Sequence, residues 1–365
     1  MKAIKKITAL VLVALMTLSL SACIHKKDEI AVTVGDVEFT SAYYMCTLIA
    51  ADSEAKQKIN EDTEQLTEAE ANGTEDIDYY TKKIEKKSYE KWVKDRTIEL
   101  LENIAAYKTA CKEKKLELTD EQEAEVAQSV SYYWDSYGYS QYFEPNGVSR
   151  ATYAKYTEDA YYSSVYFDSI YAKGGTKEIS TENVNKEISN SYILIDEISI
   201  AYEEKATDDQ KAKNKQTLEN YAADIKNGKK TFIDIYKAHN EVKDEETETE
   251  ETNEVKPVNT YAAVLGKEGT NFESTYYDTF VKYEYDVPQV IELDDESGVA
   301  LVIKRDIFKD QYFVDYIDTH ARHTIADEDF EKHIKDYSEK LKTKINNYAV
   351  GQFKVKKIIV PEIVY

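Results

Sequence analysis

Across residues 192–304 short apolar runs alternate with stretches of helical spacing, a mixture of periods that commits the chain to a mixed architecture. Tyr192-Ile193-Leu194-Ile195 reads as a strand. Behind it come a helix with Leu218, Tyr221, Ala222 and Ile225, a stop at Asn227-Gly228, and a short helix capped by Thr231. A Leu265-Gly266 loop, a helix near Phe272, a strand-like Val287-Pro288-Gln289-Val290-Ile291 and a last strand, Gly298-Val299-Ala300-Leu301-Val302-Ile303-Lys304, follow. On both sides the pattern is helical. Val93, Leu100, Ile104, Tyr107 and Cys111 make one stripe, and Phe330, Ile334, Tyr337, Leu341 and Ile345 make another. Each stripe needs a partner face, so the two chain ends are predicted to form one mostly helical body, with the strand-rich module inserted between them, in an α+β chain. A closing strand is expected over residues 353–360.

The order strand, long helix, short helix, loop, helix, strand, glycine-started strand resembles a parvulin-type prolyl isomerase domain. Members of that family commonly carry one histidine on the first strand and another on the last. Here the first position is Tyr192 and the last strand offers Val299, Ala300 and Leu301. The resemblance therefore implies a degenerate site at Tyr192, Ala300 and Leu301, with Phe272 as either a pocket wall or a core residue. His239 is the only histidine within the module and belongs to its short helix. Residues 241–254 are mostly acids and threonines with Lys243 as the one basic residue, which reads as a solvated, disordered loop insertion.

The chain opens with Lys2, Lys5 and Lys6 and an apolar run too short for a comfortable bilayer span, ending in Leu20-Ser21-Ala22-Cys23. That ending resembles the lipobox of bacterial lipoproteins and implies removal of residues 1–22 and a lipid on Cys23. An uncleaved anchor helix is the other reading. Alternation on both sides of Gly35-Asp36 predicts a hairpin, Thr40 and Ser41 offer caps for a helix, and Thr119 and Gln122 stand at capping-box spacing after a long helix. Lipobox, hairpin, capped helix and long helix in this order resemble the exported foldases of the PrsA/SurA type. The resemblance implies a membrane-anchored extracytoplasmic foldase or chaperone whose partners are unfolded or partly folded exported proteins, with no cofactor and with isomerase activity weak or lost. The chain would divide into a leader (1–22), an N-terminal helical chaperone region (23–180), the parvulin-like module (181–308) and a C-terminal helix and strand (309–365) completing the body.

Tyrosine, at 31 residues, far outnumbers the 10 phenylalanines and 2 tryptophans, and it is densest over residues 131–171. Tyr132, Tyr133, Tyr137, Tyr139, Tyr142, Tyr153 and Tyr156 are the candidates for binding clients, because a ring with a polar tip suits a wet groove that holds varied apolar segments. The same residues could fill helix–helix contacts or stack on a glycan. Two other functions stay open: an active prolyl isomerase, and a non-catalytic surface lipoprotein that binds a glycan or protein partner through these helices.

A formal charge of -23 excludes nucleic acid as a partner, since phosphate binding needs clustered lysine and arginine. It would draw in cationic or unfolded clients. Cys46 and Cys111 fall on apolar helical phases and read as free buried thiols, although an exported location permits a disulfide. His320 and His323 read as a solvated pair, short of the ligands that zinc requires. No metal site, glycine-rich phosphate loop, serine nucleophile elbow or Cys-x-x-Cys is present in the sequence.

Overall fold

A computed structural model describes residues 28–203, 205–240, 261–294 and 297–360. The leader, Cys23 and the acidic run 241–254 lie outside the described residues. The fold is α+β and divides into two compact units, residues 1–170 with 329–365, and Tyr171–Glu328.

In the first unit β1 (Ile30–Val34) and β2 (Val37–Thr40) form the hairpin, with Gly35 at φ +58° where the turn demands the left-handed region. The strand that fills the other edge of β1 comes from the far end of the chain: β9 (Thr343–Ile345) pairs Val32 with Ile345 and Val34 with Thr343. Helix α1 (Ser41–Glu61) starts on Thr40, whose hydroxyl accepts from the Tyr43 amide at 3.2 Å. It packs against α2 (Tyr89–Lys114), reached through the small hairpin β3 (Lys83–Ile84) and β4 (Lys87–Ser88). Helix α3 (Asp120–Ser131) begins with the expected Thr119/Gln122 capping box, and α4 (Tyr139–Phe143) and α5 (Arg150–Tyr171) follow. Phe39, Leu48, Ile59, Tyr89 and Leu101 are fully buried in the core, and Phe353 and Val355 join it from the C-terminal segment. Cys46 and Cys111 are both buried free thiols; burial pushes the Cys111 thiol up to about 11.

In the second unit α6 (Thr181–Ser191) leads into β5 (Tyr192–Ala201), followed by α7 (Asp208–Lys226), α8 (Phe232–His239), β6 (Ala262–Gly266), α9 (Tyr277–Phe280), β7 (Gln289–Glu292) and β8 (Gly298–Arg305). The strands form one antiparallel sheet in the order β6-β5-β8-β7. Both faces are covered. Val299, Leu301 and Ile303 meet Leu218, Phe232 and Ile235 of α7 and α8, whereas Ala300 and Val302 meet Tyr277 and Phe280 of α9. This double cover is why β8 reads as an unbroken apolar run instead of an alternating one. Helix α10 (Gln311–Ser338) groups with the second unit up to Glu328 and with the first from Asp329. No helix among the described residues is long and apolar enough to cross a membrane.

Three expectations are corrected. The stripe from Phe330 to Ile345 is not one helix: α10 begins at Gln311 and ends at Ser338, and Ile345 lies on β9. Residues 353–360 form no strand; the segment carries α11 (Asn347–Gly351) ahead of it and a tight turn over Val355–Lys357. Both edges of β1 are already taken, so side chains satisfy this backbone instead. Asn146 exchanges two hydrogen bonds of 2.8 Å with Ile359, and the Tyr80 hydroxyl donates to the Val355 carbonyl at 3.2 Å. Leu265-Gly266 is the end of β6, opposite Ile193 and Tyr192, and not a loop. Gly266 is needed there because the following turn folds back onto it: a Cβ would lie 3.0 Å from the Phe272 carbonyl carbon.

Candidate functional site

The tyrosine-dense stretch builds a ledge in the first unit. At the end of α3 the helix widens into a single π turn, Tyr132–Ser136, closed by the Tyr137 amide donating to the Tyr132 carbonyl at 2.8 Å. Widening sends Trp134 inward and leaves Tyr132, Tyr133 and Tyr137 outward, at 54%, 37% and 65% exposure. Their rings touch one another with centroids 5.2 to 6.1 Å apart, and Tyr133 continues to Tyr139 at 5.2 Å. Beneath them Trp134, Phe143 and Tyr153 form a buried aromatic floor. None of the three outward hydroxyls has a protein partner among the described residues. Arg150 ties the start of α5 to the turn, donating to Asp135 and Ser131 at 3.0 Å each.

Of the seven candidate tyrosines, four therefore come together: Tyr132, Tyr133, Tyr137 and, half-buried, Tyr139. The other three are placed differently. Tyr153 belongs to the buried floor, Tyr156 sits edge-on to Tyr43 at 5.7 Å, and Tyr142 is half-buried against Phe143. Tyr153 and Tyr156 are three apart on α5, so one inward face takes both. Burial raises the pKa of both hydroxyls, and that of Tyr153 reaches about 12. Helix α5 is fixed in turn by Asp159, only 1% exposed, which accepts from the Tyr43 hydroxyl at 3.1 Å, Lys108 at 2.7 Å and Lys155 at 3.0 Å. Three donors around one carboxylate answer its desolvation.

Tyr192, Phe272, Ala300 and Leu301 lie in the second unit and do not converge on one open pocket. Tyr192 is 2% exposed and its hydroxyl pairs with that of Thr324 at 3.1 Å. Ala300 and Leu301 are fully buried on opposite faces of β8. Phe272 is half-buried and lies against Tyr192 at 6.0 Å, Tyr316 at 5.6 Å and His320 at 4.9 Å between centroids. Thus His320 and His323 are not a solvated pair. His320 meets Phe272 and the Asn271 amide, 2.8 Å away, while His323 meets Asp327 at 2.6 Å. Burial first, and His323 second, hold the His320 imidazole below its ordinary pKa. Sequence reasoning missed this stack, although Tyr312, Tyr316 and His320 recur at helical spacing of four. His239 lines a separate cleft of about 290 Å³ with Tyr236, Tyr261 and Ser199. Among the described residues no group of three or more His, Cys, Asp or Glu side chains is arranged to hold a metal ion.

No protein-family model and no curated protein matches this chain. Among solved structures it is similar to the foldase protein PrsA from Lactococcus lactis, with 16% sequence identity, 71% of this chain and 89% of that chain covered, and a TM-score of 0.34.

Proposed function

We propose that this protein is a membrane-anchored extracytoplasmic foldase or chaperone that holds unfolded segments of exported proteins on the tyrosine ledge, in a body built from both chain ends, and that its isomerase-like module has little or no catalytic activity. The observation that carries this reading is the ledge itself: three mutually touching, exposed tyrosines on a rigid aromatic floor. Covering each half-exposed ring contributes on the order of 1 kcal/mol, which suits weak, exchangeable capture of many sequences. Phenol hydroxyls at the rim keep such a surface wet, so it need not drive self-association.

The test is aggregation of an unfolded client followed by light scattering. The full chain should suppress it. The Tyr132→Ser, Tyr133→Ser, Tyr137→Ser triple variant should lose most of that protection while still melting cooperatively, because substitutions of exposed residues change stability by only about 0.5 kcal/mol each and the buried floor is untouched. Equal protection by both proteins would refute the ledge. Anchoring is tested separately by Cys23→Ala, which should move the protein from the membrane to the soluble fraction; retention with an uncleaved leader would favour a plain anchor helix.

A further inference from the structure

The ledge continues into a charged stripe. Along α3 and into the π turn, Glu121, Glu125 and Tyr132 are spaced by four and seven residues, which places them on one helical face, and all three are exposed. At a rise of about 1.5 Å per residue the two carboxylates stand roughly 10 and 16 Å behind the ring of Tyr132. Neither has an ion-pair partner among the described residues. Residues 119–149 contain acidic side chains and no lysine or arginine, and Arg150, the next basic residue, is engaged by Asp135 and Ser131. The stripe is thus apolar and π-rich at one end, anionic at the other, and carries no cation of its own.

We propose that this stripe docks extended segments of unfolded proteins that carry lysine or arginine beside apolar or aromatic residues. The inference rests on the client-binding reading above and names the class of client. Charge complementarity decides it. A cation within about 6 Å of a tyrosine face is attracted by the ring quadrupole. Glu121 and Glu125 extend that attraction along the segment, and the chain's net charge of -23 steers such segments in at a distance. Acidic segments of equal apolar content meet repulsion at the same positions.

The experiment measures binding of three short fluorescent peptides of identical leucine content, with lysine, serine or glutamate at the intervening positions, to the full chain at low and high salt. The lysine peptide should bind roughly tenfold more tightly than the serine peptide, the glutamate peptide more weakly than either, and the preference should collapse at high salt. Glu121→Gln with Glu125→Gln should remove most of the lysine preference, weakening the lysine peptide far more than the serine peptide. Tyr132→Ser with Tyr137→Ser should weaken all three peptides. If the tyrosine variant weakens binding but lysine and glutamate peptides bind alike, the cationic class is wrong and the client-binding reading stands. A lysine preference that survives both glutamine substitutions would assign the attraction to the general charge of the chain and overturn this site. If the tyrosine variant changes nothing, both readings fall.

Discussion

Arg322→Leu should lower the stability of the second unit by about 3 kcal/mol. Arg322 is 7% exposed, and its guanidinium is used on every side. Nε and Nη2 donate to the two oxygens of Asp318 at 2.6 and 3.1 Å, and Nη1 donates to the carbonyls of Tyr171 and Ile179 at 3.0 and 2.8 Å. The second pair clamps the turn between α5 and α6 onto α10. Leucine would leave a buried carbonyl short of a partner and Asp318 without its cation, and removing one member of a buried pair costs about 3–5 kcal/mol. The lower end applies because the Asp318 side chain is 37% exposed. Arg322→Lys should recover only part of the loss, since an ammonium cannot serve a carboxylate fork and two carbonyls in one plane. Both tryptophans, Trp92 and Trp134, belong to the first unit, so their fluorescence does not report this change. Hydrogen exchange does: amides of β5 and β8 should exchange roughly 10²-fold faster in the leucine variant. An acceleration below about fivefold would show that the clamp is dispensable.

A short Xaa-Pro peptide mixed with this protein should isomerise at its uncatalysed rate, over about tens to hundreds of seconds. The amide barrier is about 18–20 kcal/mol, and lowering it requires polar groups aimed at the twisting bond. At the positions where the parvulin resemblance puts histidines, Tyr192 spends its hydroxyl on Thr324, while Ala300 lies fully buried among Ile193, Tyr277 and Phe280. Losing one positioned donor costs roughly 10²–10³ in rate in other enzymes, so two absences can erase a modest activity. Restoring a ring by Ala300→His should not rescue catalysis, because overpacking that face costs about 1–3 kcal/mol and gives no route to solvent. Acceleration of the peptide that disappears on altering Phe272 or Tyr192 would instead make the module a working enzyme.

Local signals in the chain were sufficient for its local structure. Thr40, Thr119 and Thr231, read as caps from the sequence, each accept a backbone hydrogen bond at a helix start, because a cap needs only neighbours within three residues. Short apolar runs likewise placed β5 and β8, and period-3.6 stripes placed α2 and α7, since each records surface to be covered. The same patterns could not say which element does the covering. That Thr343–Ile345 and not residues 353–360 supplies the outer strand of the first sheet depends on a vacant edge of β1, some three hundred residues away in sequence. Tyr132 and Tyr153 are alike as letters, and one is 54% exposed while the other is 7% exposed. A tyrosine's side is set by the width of one π turn and by the helix that packs behind it, neither of which is encoded at the tyrosine. Sequence by itself determined the α+β class and the caps named from it. Tertiary packing alone decided which rings make a ledge and which make its floor, because burial is a property of the neighbours that long-range packing brings together.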